Sequence, residues 1–218
     1  MIEEMKPDII GLTEVWMKEH YSIKGFHPAF RHDREESRKG GGIMLFVREN
    51  LVVSECTELN AESFEEALWV TVKMARAENM LIGICYRSPN STRENNEKLI
   101  DLLQHRNVVK NRNVLIMGDF NFSSICWEDG VVDGLEDCEA ARFFDVTQNA
   151  FLYQHVNTDT RYREGHTPSR LDLVFTSREY LVNELEPSHP LGKSDHIVLT
   201  WKCVYKQTID HARIGKKR

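Results

Sequence analysis

The chain has 218 residues, 41% of them hydrophobic and 28% charged, with a formal net charge of -6. That length supports one sizeable core, and the acidic balance excludes a general basic clamp for nucleic acid. It leaves room for an enzyme that meets a polyanion through a bound cation and a few local Arg or Lys. The five cysteines (Cys56, Cys85, Cys126, Cys138 and Cys203) form an odd set without a closely spaced pair. This argues against a disulfide framework and a zinc knuckle. Cys85 and Cys203 lie in apolar runs and read as small core residues. The opening MIEEMKPDII carries acids where a signal peptide needs cations, and no apolar run reaches membrane-spanning length. The expected location is intracellular and reducing, not secreted.

In chain order, residues 2–6 read as the last turn of a helix that Pro7 ends, since proline lacks an amide donor. Residues 8–16 (DIIGLTEVW) read as a short buried strand running into a loop at Glu14. Three glycines at 40–42 feed a β-rich run over 43–47, and LVVSEC at 51–56 follows. ALWVTVKM at 67–74 alternates as a strand does and pairs with NMLIGICY at 79–86 as a hairpin. Ser91 opens a helix with Glu94 three residues on, the spacing of a capping box, and Leu99, Leu102 and Leu103 form its apolar face. VLIMG at 114–118 is the next buried strand. Residues 137–149 form a second helix that buries Ala140, Ala141 and Phe144. RLDLVFTS (170–177) and HIVLTW (196–201) are the last strands, and the loop formers PSHPLGKSD lie between them. The expected organisation is one α/β domain over 1–203 and a basic C-terminal tail over 204–218.

Polar residues recur where these strands end: Glu14, Tyr86, Asp119 with Asn121, Asp172, and Asp195 with His196. Ligands in α/β folds gather at such ends, because loops converge there above a rigid sheet. Glu14 and Asp119 are hard oxygen ligands suited to magnesium. Asn121 adds a neutral amide, and His196 can donate to a phosphoryl oxygen or handle a proton near neutral pH. Tyr86 can set a hydroxyl on a phosphate. A blander reading stands beside each. Asp119 and Asn121 also suit a turn after a strand, Tyr86 suits a half-buried strand position, and His196 suits a cap. Asp172, a lone charge among Leu171, Leu173 and Val174, needs a partner.

The ordered motifs PDIIGLTEVW, CYRSPN, GDFN, SRLDLVFTS and SDH resemble the endonuclease/exonuclease/phosphatase (DNase I-like) superfamily, from Pro7 to Trp201. Within it, GGGIMLFVREN, TRYREGHTPSRLDLVFTS and PLGKSDHIVL are similar to the endonuclease domains of animal non-LTR (LINE-type) retrotransposons. The resemblance implies a four-layered α/β sandwich of two mainly antiparallel sheets flanked by helices. It also implies phosphoester hydrolysis with magnesium, or manganese in its place. Glu14 is implied as the principal metal ligand and Asp195 as a second metal-side carboxylate. Asp119 is implied to position or deprotonate the attacking water, with Asn121 and Tyr86 on the phosphate. His196 is implied to act on the phosphoryl oxygens or the proton, oriented by Asp172. Arg161, Arg163 and Arg170 are implied as contacts to the DNA backbone.

The function that follows is a DNA endonuclease nicking one strand to prime reverse transcription. A reverse transcriptase domain is then expected downstream in a longer parent, with access to the nucleus and no membrane partner. Family members usually carry an earlier strand ending in an asparagine that no residue here matches. The expectation is a fold lacking that strand, with metal affinity or activity reduced roughly 10- to 100-fold. Two other readings are a phosphatase of phosphoinositides or similar small phosphoesters, and a catalytically weak or inactive fragment.

Overall fold

Two β-sheets stack face to face because their central strands alternate apolar side chains between two cores. The computed structural model describes residues 2–16, 21–33, 40–60, 64, 66–74, 78–135 and 137–204. In chain order the elements are α1 (Ile2–Met5), β1 (Ile9–Thr13), β2 (Phe30–His32), β3 (Ile43–Val47), β4 (Val53–Glu55), α2 (Thr57–Asn60), β5 (Ala67–Lys73) and β6 (Asn79–Tyr86). There follow α3 (Arg93–Gln104), α4 (Arg106–Val109), β7 (Val114–Asp119), β8 (Ile125–Cys126), β9 (Val131–Val132) and α5 (Glu139–Asn149). The last elements are β10 (Tyr153–Gln154), β11 (Asp172–Thr176), β12 (Val182–Ser188) and β13 (Val198–Cys203).

The larger sheet has the order β10-β11-β7-β6-β5-β4. All its pairings are antiparallel except β6 with β7, which run parallel. A parallel pair needs a crossover, and α3 and α4 supply it. The smaller sheet has the order β1-β3-β2, and β12 pairs with β13 separately. Among the described residues β1 is hydrogen-bonded along one edge only, to β3. Ile9 of β1 and Leu199 and Trp201 of β13 pack on the same core.

Strand alternation builds the layers. Ile43, Leu45 and Val47 of β3 meet Leu68, Val70 and Val72 of β5 and Ile82 and Ile84 of β6 between the sheets. The opposite faces serve other clusters. Met44 and Phe46 turn outward against Phe26, while Trp69, Leu81 and Cys85 face Leu99, Leu102 and Leu103 of α3 and Phe143 of α5. Each fully buried side chain of this size contributes about 1.5–3 kcal/mol relative to exposure. Gly83 stands opposite Trp69 in the β5–β6 register, and its missing side chain is what admits the fully buried indole.

Several local expectations are corrected. The α3 N-cap is Thr92, whose hydroxyl accepts from the Asn95 amide, and not Ser91, whose hydroxyl accepts from the Asn95 side chain. Helix α5 buries Ala140 as expected, together with Phe143 and Val146; of the other two expected residues Phe144 is only partly buried against the core and Ala141 is not among the buried ones. Strand β13 starts at Val198, so His196 precedes it as an isolated bridge to Arg161. Cys203 is exposed at the end of that strand. Strand β12 carries Pro187 and two glutamates, which give no strand signal in sequence, and among the described residues it pairs only with β13, an edge position where proline is tolerated. The expected basic tail lies outside the described residues except for Val204. Among the described residues no helix is long and apolar enough to cross a membrane.

A methyl group at position 83 would sit 2.6 Å from the Trp69 ring. Gly83→Ala is therefore expected to overpack this layer and cost about 1–3 kcal/mol. The change should appear as a lower urea midpoint with an unaltered slope.

Candidate active site

Strand register brings the first three site residues together. In the parallel β6–β7 pair Tyr86 stands beside Asp119, and in the antiparallel β7–β11 pair Asp119 stands beside Asp172. The three form a row across adjacent central strands. Gly118 sets the approach: its φ is +146°, and a Cβ there would lie 1.8 Å from the Cys85 carbonyl oxygen. From the other sheet, Glu14 follows the last residue of β1 at φ +54°. Tyr86 Oη donates to Glu14 Oε1 at 2.5 Å. His196 arrives ahead of β13 with Nδ1 2.7 Å from Asp172 Oδ2. The ligand atoms of Asp119, Asp172 and His196 all lie within 4.8 Å of one another.

Burial gives this cluster its electrostatic character. Asp119 is 2% exposed. Desolvation, then the charges of Asp172 and Glu14, push its carboxyl up to about 7, against the opposing pull of His196. Burial works against a charged His196, but the hydrogen bond and charge of Asp172 outweigh it, and the imidazole rises to about 9. Burial and then the Glu14 carboxylate raise the Tyr86 phenol, which stays protonated as a donor. The imidazole is thus cationic at neutral pH, with Nε2 left without a partner among the described residues.

The turn after β7 is shaped by its own residues. Asn121 has φ +51°, a left-handed conformation that asparagine tolerates. Its amide donates to Asp119 Oδ1 at 3.1 Å, and its side-chain nitrogen donates to the Arg87 carbonyl at 2.8 Å.

The remaining expected residues lie apart from this row. Asp195 turns its carboxylate to Arg161, with Nε to Oδ2 at 2.9 Å. Partial burial raises the Asp195 carboxyl, and Arg161 overrides that and holds it below its ordinary value. Asp195 is thus outside the compact Asp119–Asp172–His196 group, though its charge still acts on His196. Arg170 donates to the Thr158 carbonyl and is paired with Glu128. Arg163 is exposed.

Three residues with a part in this geometry went unread in the sequence. Thr160 is fully buried, and its hydroxyl oxygen accepts the amides of Leu171 at 3.0 Å and Asp172 at 2.9 Å. Glu66, 2% exposed, accepts the Gly42 amide at 2.7 Å and offers its carbonyl to the Tyr86 amide. Arg87 is 5% exposed beside Tyr86. Glu66 sits in a polar stretch without periodicity, so no sequence signal marks it, and Thr160 opens the TRYREGHTPSRLDLVFTS motif without its burial being visible there. Arg87 stands inside CYRSPN, but its burial was not visible there.

The model of the Endonuclease/Exonuclease/phosphatase family matches residues 1–196. The chain belongs to that family. It therefore stands among proteins that hydrolyse phosphate esters. Three solved structures with the family fold are similar to it. The endonuclease domain of TRAS1, a telomere-specific non-LTR retrotransposon, aligns with TM-score 0.71 at 16% identity, covering 93% of this chain and 88% of that one. A family member from Leptotrichia buccalis C-1013-b aligns with TM-score 0.57 at 14% identity, covering 94% and 90%. ANGEL2, a 2',3'-cyclic phosphatase, aligns with TM-score 0.56 at 14% identity, covering 93% and 75%. No curated protein matches the sequence.

The family's endonuclease/exonuclease/phosphatase chemistry generally uses a divalent metal, and the donor set here fits one. Buried Asp119 and half-buried Asp172 bring carboxylate oxygens close together with exposed Glu14 nearby, and burial, then the charges of Asp172 and Glu14, raise the Asp119 carboxyl. A hard cation relieves the repulsion of those charges and returns Asp119 to its ionised form.

This electrostatic balance sets a pH dependence. In metal-free protein, Asp119 binds its proton more tightly folded than unfolded, so stability falls as pH rises from 3.8 toward about 7. The raised His196 contributes stability that is complete below pH 6.5 and lost as pH rises through about 9. For His196 the upper bound is roughly 3 kcal/mol, or about 6–12 °C in Tm. Thermal melts across pH should show both declines. Asp119→Asn should flatten the first and His196→Gln the second, and added magnesium should raise Tm above pH 7 in the wild-type and His196→Gln proteins but not in Asp119→Asn.

Proposed function

We propose that the chain is a magnesium-dependent DNA endonuclease that nicks one strand of a duplex, with manganese able to replace magnesium. The observation that carries the reading is the compact Asp119–Asp172–His196 group, with Asp119 buried, beside the Glu14–Tyr86 pair. When bound at the Glu14 and Asp119 carboxylates, the ion supplies charge neutralisation for the phosphate oxygens. His196, kept cationic by Asp172, donates from Nε2 to a non-bridging oxygen as charge develops there. Asp119, kept ionised when the cation is bound, accepts the proton of the attacking water. Tyr86 keeps its proton and holds Glu14 in place. Asn121 has one N–H on the Arg87 carbonyl and a second for the phosphate. Cleavage of the P–O3′ bond leaves a 3′-hydroxyl, the end a polymerase extends. That supports a role in target-primed reverse transcription, with a reverse transcriptase domain of the same element as partner and chromosomal DNA in the nucleus as substrate.

Surface features favour a polymer over a small phosphoester. Trp16, two residues past Glu14, is 69% exposed, and Tyr162, bonded through its amide to the Asp195 carbonyl, is 49% exposed. Flat exposed rings beside such a site suit stacking on bases. Arg163 is exposed in the same loop as Tyr162 and suits a phosphate contact.

Purified protein should convert supercoiled plasmid to the open-circular form with magnesium, and chelation should stop it. Asp119→Ala should lower the rate by about 10²–10³-fold. Trp16→Ala should raise the KM for plasmid by about tenfold. Turnover of a cyclic phosphate or phosphoinositide with intact plasmid would replace this reading by that of a small-molecule phosphoesterase.

A further inference from the structure

Arg87 lies outside the acidic row, yet its bonds converge on the segment that carries Asp119 and Asn121. Its amide donates to the Asp119 carbonyl at 2.8 Å, and its own carbonyl accepts from Asn121 Nδ2 at 2.8 Å. Its Nη1 donates to the carbonyls of Phe120 at 3.4 Å and Asn121 at 3.1 Å. The guanidinium lies 4.0 Å from the centre of the Phe122 ring. Every residue from 119 to 122 is therefore held by Arg87. On its other side, Nε donates to Asn96 Oδ1 at 2.8 Å on α3, and Nη2 lies 3.5 Å from Glu139 on α5. The Asn96 amide closes this network by donating to Glu139.

A buried guanidinium is a poor way to gain stability, because apolar residues of similar volume commonly do as well or better. Burial lowers the Arg87 pKa, and the charge of Glu139 is the main opposing influence. What the guanidinium provides is direction. Its planar fork reaches two carbonyls and an amide oxygen at fixed angles, which a lysine cannot do. The carbonyls belong to a turn whose Asn121 is held at φ +51°.

We infer that Arg87 is a positioning residue: it locks the 119–122 turn to α3 and α5 and so aims the Asp119 carboxylate and the Asn121 amide at the scissile phosphate. The catalytic part of this inference rests on the nuclease reading; the clamp does not. Glu139 and Arg87 also line an open cleft of about 480 Å³ with Arg93 and Arg142, so a small cation from solvent can reach the guanidinium position.

The test uses Arg87→Ala and Arg87→Lys in the full chain, with two readouts. Backbone amide exchange at Asn121 is followed by NMR, with Ile82 in the core as internal reference. Plasmid nicking is followed at varied DNA concentration. Both variants should speed exchange at Asn121 by about tenfold while Ile82 is unaltered. Misaiming should lower kcat by about 10²-fold with little change in KM. Millimolar guanidinium, but not urea, should restore part of kcat and slow Asn121 exchange in Arg87→Ala. If Arg87→Ala fails to fold, Arg87→Lys and the milder Glu139→Gln carry the test, the latter with a kcat loss of about threefold. Unchanged Asn121 exchange overturns the clamp. Faster exchange with unchanged kcat overturns the positioning role, as does a kcat loss that matches the unfolded fraction. If wild-type protein nicks no plasmid, the nuclease reading falls, and exchange at Asn121 alone decides the clamp.

Discussion

Two carboxylates, buried Asp119 and half-buried Asp172, stand side by side on adjacent strands, and the site is arranged around their repulsion. In bulk water such a pair would cost little, but with Asp119 buried and Asp172 partly so the same charges interact more strongly. The protein answers from outside the sheet. His196, brought in by the segment ahead of β13, holds Asp172 through Nδ1 and gains a lasting positive charge in return. The Asn121 amide answers Asp119 at shorter range. The residual repulsion is what makes the pocket receptive to a divalent cation. The same imbalance that lowers stability in the metal-free state favours the loaded one.

Holding these charges in place requires a rigid frame and tolerated strain, and the two are kept in different places. The frame is the pair of sheets with the helices packed on the larger one, where close contacts such as Trp69 over Gly83 fill the layer. The strain sits at strand ends. Glu14 and Asn121 both have positive φ, and for a glutamate that conformation costs of the order of 1 kcal/mol or more. Each is held by partners from a different element, Glu14 by Tyr86 and Asn121 by Arg87. The 160–170 loop is organised by internal bonds. Arg161 bridges Ser169 and pairs with Asp195, and Arg170 pairs with Glu128. Two of the loop's three cations are thereby committed to shape, and its outward face is left to Tyr162 and Arg163.

Much of the scaffold was legible from periodicity. The runs at 43–47, 67–73, 79–86 and 114–119 are strands because alternating or continuous apolar residues find a core on one or both faces. Strand β12 was not legible, since VNELEPS has glutamates and a proline where a strand signal needs β-branched residues. It forms because β13 offers a partner, a fact that appears only in three dimensions. The α5 face was legible only in part. Ala140 is buried as expected, but the sheet beneath selects Phe143 and Val146 with it and leaves Phe144 at the margin of the core.

The sequence by itself determined which residue types stand at the strand ends, since a carboxylate or imidazole that interrupts an apolar run is conspicuous whatever the fold. It also determined the family, through five motifs in one order. Only the tertiary structure decided which of those residues meet. Register set Asp119 between Tyr86 and Asp172, while Asp195, next to His196 in sequence, turned to Arg161. Only the structure revealed Thr160, Glu66 and Arg87, because burial of a polar side chain depends on what folds over it. Local sequence records a residue's chemistry, whereas its partners come from distant segments, 72 residues apart for Glu14 and Tyr86.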